Sequence, residues 1–171
     1  GMKAGIYTDA GNNTLCSIWD NDLAGVGAGI DGHEPQDAQL CFGDWGFDFI
    51  KIDDCGGDVL GLDEEERYTS IRNSIDKVNK NVSVNICRWA FPGTWAKDVA
   101  TSWRISGDIN AHWGSLKYVV RKNLYLSAYA GNGHYNDMDM MVIGFRDNSK
   151  VGGKGITPTE EEATLGSCCN M

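Results

Sequence analysis

The stretch Phe49-Ile50-Lys51-Ile52-Asp53-Asp54-Cys55-Gly56-Gly57 places a lysine and two carboxylates at the end of an apolar run. Side chains alternate along a strand, so Lys51 and Asp53 share one face while Ile50 and Ile52 share the other. A cation beside a carboxylate favours its ionised form, which a nucleophile requires. Three other stretches repeat the arrangement. Tyr7 with Asp9, Arg104 with Ser106 and Asp108, and Asp137 with Asp139 each put polar groups on one face near the end of an apolar segment. Asp53 and Asp108, each with a cation close by in sequence, suit a division of labour between nucleophile and acid/base. Structural ion pairs, Lys51 with Asp53 and Arg104 with Asp108, would account for the same spacing without chemistry. For Asp9, Asp54 and Asp137, capping of the next turn does so.

The elements that must carry these residues alternate between strand and helix. Residues 2–10, 47–53, 82–90, 102–109 and 135–144 read as strands. Residues 34–46 read as a helix with Pro35 near its start and Ala38, Cys41, Phe42 and Trp45 on one face. Residues 62–81 form the clearest helix. Asp63 caps it, Glu64 to Glu66 fill its first turn, and Tyr68, Ile71, Ile75 and Val78 make an apolar stripe. Shorter helices are expected over 94–100 and 115–123, and another begins at Thr157 or Thr159. About five βα units in succession predict a parallel sheet with outer helices, either an open five-stranded sheet or part of a barrel. Ligands of such folds sit at the C-terminal ends of the strands, where the polar residues lie. A complete eight-unit barrel takes roughly 250 residues, so the 171-residue chain is expected to be a fragment of one. Alone it is expected to be inactive and poorly soluble, because open barrel edges expose unpaired strands.

Composition narrows the class. A hydrophobic content of 42% with 10% aromatics fits a globular domain, and a net charge of −9 argues against nucleic-acid and anionic-membrane partners. No apolar run is long enough to cross a membrane as a helix. The six cysteines show no C-x-x-C spacing, and His33, His112 and His134 show no metal-binding spacing, so no metal is expected. Of the tryptophans, Trp19 and Trp89 are the candidates for stacking on a sugar, the others being expected in the core.

GMKAGIYTDAG, WGFDFIKIDDC, CRW, SWRISGDI and YNDMDMMVIG, in this order and spacing, resemble glycoside hydrolase family 27, the α-galactosidases and α-N-acetylgalactosaminidases. The resemblance implies a partial (β/α)8 TIM barrel covering strands three to seven. The earlier strands, the last strand and a C-terminal β-domain would lie outside a single catalytic-domain fragment, residues 1–171. It implies a retaining glycosidase acting on α-galactoside-type sugars, with Asp53 as nucleophile and Asp108 as acid/base. Tyr7, Lys51 and Arg104 would bind the sugar and orient the carboxylates, Met140 would line the site, and Cys16 and Cys55 would form a disulfide. Arg88 and Trp89 would also meet the sugar. Arg88 stands where the galactosidases carry a glutamate and the N-acetylgalactosamine enzymes a serine, which leaves the sugar open to α-N-acetylgalactosaminide or β-L-arabinopyranoside. A non-catalytic carbohydrate-binding barrel is the alternative of a different class. No cofactor or metal is implied. A homodimer of the full-length protein is compatible with the resemblance, and a Cys16–Cys55 disulfide would favour a secreted or lysosomal setting. Asp54, so near the nucleophile, is expected to turn outward by strand alternation.

Overall fold

The computed structural model describes residues 1–12, 29–140 and 159–160. Five strands, β1 (Gly5–Asp9), β2 (Phe49–Asp53), β3 (Ser83–Cys87), β4 (Ser102–Arg104) and β5 (Tyr135–Asp137), follow one another in the sheet in chain order. The helices between them are α1 (Glu34–Ala38), α2 (Cys55–Leu60), α3 (Glu64–Val78), α4 (Ala96–Val99) and α5 (Trp113–Leu126). The chain divides into two compact units. The first holds Gly1–Arg88 with Pro92–Trp103, and the second holds Trp89–Phe91 with Arg104–Met171.

In the first unit β1, β2, β3 and the start of β4 run parallel. Ile50, Ile52, Val84, Ile86 and Trp103 bury the sheet's apolar surface. α3 covers it as its pattern predicts. The Asp63 carboxylate accepts from the Glu66 amide at 2.9 Å, and Tyr68, Ile71 and Ile75 are buried. The Tyr68 hydroxyl donates to the Ile52 carbonyl at 3.2 Å, which fixes the helix against β2 one residue before Asp53. α1 starts at Glu34–Pro35 and runs on into a π-helical turn, Gln39–Asp44. Trp45 is exposed rather than on the packed face, because the chain leaves the helix there.

In the second unit α5 is longer than expected, and His112 caps it by accepting from the Gly114 amide at 3.0 Å. The Ile105 amide donates to the Asp137 carbonyl at 3.3 Å. The strands expected over 102–109 and 135–144 are shorter here, ending at Arg104 and Asp137. Apart from residues 159–160, which are helical, the C-terminal helix and the end of the last predicted strand lie outside the described residues.

Candidate active site

The parallel register of the first unit stacks its polar residues in two levels. Tyr7, Lys51 and Asn85 are partners across β1, β2 and β3, and so are Asp9, Asp53 and Cys87 one pleat further on. Partners in a parallel sheet share a face, so the strand ends present two carboxylates above a tyrosine, a lysine and an amide. Asp53 is buried, 8% exposed. Its Oδ2 accepts the Tyr7 hydroxyl at 2.5 Å, and its Oδ1 accepts the Asp54 amide at 3.2 Å. Burial first, then the hydrogen bond to Asp53, push the Tyr7 phenol far above its ordinary range. Tyr7 is therefore a proton donor to the carboxylate across the working pH range. Among the described residues Lys51 makes no ion pair, so Asp53 is not held by a Lys51–Asp53 pair.

Asp9 works through the backbone. Fully buried, it accepts the Gly11 amide at 2.8 Å and the Gly56 amide at 2.9 Å with Oδ1. One carboxylate thus ties the end of β1 to the first turn of α2, directly after Asp53. Gly11 makes this approach possible, since a Cβ there would fall 2.3 Å from the Gly56 carbonyl carbon, while a Cβ on Gly57 would fall 2.4 Å from Asp54 Oδ1. Burial raises the Asp9 carboxyl, the Gly11 and Gly56 amides oppose that rise, and the neighbouring Asp53 charge adds to it.

Asp54, expected to face away from Asp53, is covered by helix residues rather than left open to water. It is 5% exposed and lies against Gly57 at the start of α2. Its carboxyl is pushed up to about 7, by burial and then by the Glu64 charge, with Arg88 pulling the other way. Strand alternation ends at Asp53, where β2 gives way to α2, and tertiary packing decides the rest. Arg88, directly after β3, pairs through Nη2 with Glu64 Oε1 at 2.5 Å. Cys55 is disulfide-bonded, while Cys41 and Cys87 are not. Cys16 and Trp19 lie outside the described residues.

In the second unit the centre is Arg104, whose side chain is buried. Its Nη2 lies 3.0 Å from Asp108 Oδ1 and 3.0 Å from Asp139 Oδ2, and it also donates to the Ser106 carbonyl at 3.3 Å. Asp139 accepts the Ile109 amide with the same oxygen at 3.0 Å, and its own amide donates to Asp137 Oδ1 at 2.8 Å. Asp139 holds φ +68, a left-handed conformation that non-glycine residues adopt rarely and that clusters at functional sites. Trp89 does the same at φ +58 and is only part-buried. The Asp108 side chain is 74% exposed. Alternation does not carry Arg104 and Asp108 to one face, since β4 stops at Arg104. The bend at Ser106–Gly107 brings them together instead. Met140 is exposed.

Sequence reading passed over Asn85, Glu64 and the part played by Asp139. Asn85, whose Nδ2 donates to Ser102 Oγ at 2.8 Å, was findable, being a polar residue at the Lys51 level of an apolar strand. Glu64 was not, because its partner is 24 positions away and on another element. Among the described residues no cluster of histidine, cysteine and carboxylate side chains could hold a metal ion.

Comparison with known proteins places these residues in context. The family model for alpha galactosidase A (Melibiase_2) matches residues 1–151. An alpha-galactosidase of Oryza sativa subsp. japonica is 40% identical over 146 residues, covering 84% of this chain and 32% of the relative. Alpha-galactosidase A of Cellvibrio japonicus is 36% identical, covering 95% of this chain and 38% of the relative. The crystal structure of a candidate alpha-galactosidase of Bacteroides fragilis superposes with a TM-score of 0.79 at 30% identity, covering 96% of this chain and 35% of that one. The chain therefore spans about a third of the length of the curated relatives it matches. Its parallel sheet and helices are part of a (β/α)8 barrel.

Proposed function

The chain belongs to the alpha galactosidase A family, and from that premise we propose that the complete protein is a retaining glycosidase removing terminal α-linked galactose. Asp53 is the nucleophile and Asp108 the acid/base. Asp53 attacks the anomeric carbon as the bond to the leaving oxygen breaks, and Asp108 gives that oxygen its proton. Asp108, now a carboxylate, takes a proton from water, whose oxygen displaces Asp53 from the anomeric carbon. Two displacements return the original configuration.

The observation that carries the reading is the buried Asp53 with the Tyr7 hydroxyl on its Oδ2. A nucleophile must stay fixed and ionised, and a donor with a strongly raised pKa stabilises the charge without competing for the proton. Arg104 orients Asp108 from the buried side and leaves its other flank open to substrate and water. Lys51 and Arg88 in the first unit, and Trp89 and Met140 in the second, are the further residues proposed to bind the sugar. In this reading the chain contributes barrel strands three to seven, and Cys16 is the disulfide partner of Cys55, bracing the turn after the nucleophile.

The test is covalent trapping in the complete protein. A 2-fluoro-galactosyl reagent with a good leaving group should form a stable adduct, and peptide mapping should place it on Asp53. Labelling of another residue, or a first-formed product with inverted anomeric configuration, would defeat the mechanism.

A further inference from the structure

The Arg88–Glu64 pair stands apart from the roles assigned above, and its surroundings say what it does. Glu64 opens α3 immediately after the cap Asp63, so its backbone is held by the Asp63–Glu66 hydrogen bond. α3 is in turn fixed to β2 through the Tyr68 hydroxyl and the Ile52 carbonyl. Arg88 follows Cys87, the register partner of Asp53. Glu64 therefore grips the arginine from a helix already registered to the strand that carries the nucleophile.

The charges around the pair are mostly negative. Asp54 is buried beside it, and the groups that act on Asp54 from the surrounding elements are Glu64 on α3, Arg88 after β3, Asp9 on β1 and Asp58 on α2. Arg88 is the one cation among them, and Glu64 already occupies it. As a structural tie the pair is weak. The two side chains are 29% and 28% exposed, and partly solvated ion pairs add little stability.

We propose that Glu64 is a positioning and specificity-determining residue, which holds and neutralises the Arg88 guanidinium so that Arg88 meets the sugar as a hydrogen-bond donor to neutral groups. Arg88 is then no counter-ion for an anionic substituent, and the substrate is a neutral sugar. The inference rests on the glycosidase reading above. It adds to that reading a residue on a helix outside the strand ends.

The experiment uses the complete protein with Glu64→Gln, Glu64→Asp, Arg88→Ala and the double variant Glu64→Gln/Arg88→Ala. It measures kcat and KM on a neutral nitrophenyl α-galactoside, inhibition by galactose and by galactose monosulfates, and the thermal midpoint. Glu64→Gln should raise KM about fivefold while kcat stays within about twofold. It should also tighten monosulfate inhibition relative to galactose by about fivefold, since a charge-assisted contact becomes free. Glu64→Asp should restore part of the KM, and the double variant should be no worse than Arg88→Ala because the two act as one unit. Unchanged KM and unchanged monosulfate discrimination in Glu64→Gln, or fully additive losses in the double variant, would overturn the proposal. So would a fall in thermal midpoint with no change in KM. Failure of the underlying reading looks different, with a wild type that turns over no α-galactoside or an Asp53→Asn variant as active as wild type.

Discussion

The two carboxylates assigned to the reaction are held in opposite ways. Asp53 is buried at the end of a strand, with a hydroxyl and a backbone amide on its oxygens. Asp108 sits beyond the end of its strand, its side chain 74% exposed and tied at one oxygen to a buried arginine. The first unit gives its carboxylate two neutral donors, the Tyr7 hydroxyl and the Asp54 amide. The second anchors its carboxylate by charge, with Arg104 shared between Asp108 and Asp139. This difference matches the work proposed for each. A nucleophile must be fixed and charged, whereas an acid/base must exchange protons with leaving group and water.

The contrast can be broken most sharply at the carboxylates themselves. In the complete protein Asp53→Asn should lower turnover by about 10^4-fold or more, whatever the leaving group. Asp108→Asn should lower it by about 10^2- to 10^4-fold on an unactivated galactoside, and far less on a dinitrophenyl galactoside that needs no proton. Steady-state rates on both substrates decide the matter, and equal losses in Asp108→Asn would remove the acid assignment.

Next in size is the second unit's dependence on charge. Arg104→Met leaves the buried Asp139 carboxylate without its cation and should destabilise the fold by about 3–5 kcal/mol in denaturant titrations. A loss no larger than that of a surface substitution would show that Arg104 is not the anchor.

Asp54 tests the first unit's reliance on burial. Its folded pKa of about 7 lies above the ordinary carboxyl value, so the fold favours the protonated form. That contribution is complete below about pH 4 and disappears as pH rises through about 7. Asp54→Asn should match wild type in unfolding free energy near pH 4 and exceed it at pH 8, by on the order of 1–3 kcal/mol in denaturant titrations. Parallel curves across this range would contradict the placement of a buried, titrating Asp54. The smallest effect belongs to Tyr7→Phe. Loss of one hydrogen bond to a charged oxygen should cost about tenfold in kcat/KM with little change in stability. A rate within twofold of wild type would mean that the Tyr7–Asp53 contact carries no catalytic weight.

Much of this arrangement was legible from the chain. Alternation placed Lys51 with Asp53 and Tyr7 with Asp9, and the register of β1 and β2 stacks them as that reading requires. The cap at Asp63 and the stripe Tyr68, Ile71 and Ile75 identified α3 because both are local signals. Alternation failed where strands were shorter than their apolar runs. It put Arg104 and Asp108 on one face of a strand that ends at Arg104, whereas the bend at Ser106–Gly107 joins them. It turned Asp54 away from Asp53 but carried no sign that the start of α2 would bury it.

The sequence by itself determined which residue types stand at each strand end and which of them share a face, because strand geometry is periodic and needs no distant partner. Tertiary structure alone decided that Asp9 clamps the Gly56 amide 47 positions away, that Glu64 takes Arg88, and that Asp139 shares Arg104 with Asp108. Each of these contacts joins separate elements through side chains whose partners are fixed by register, helix placement and burial. A one-dimensional pattern carries none of that information, whereas packing fixes all of it at once.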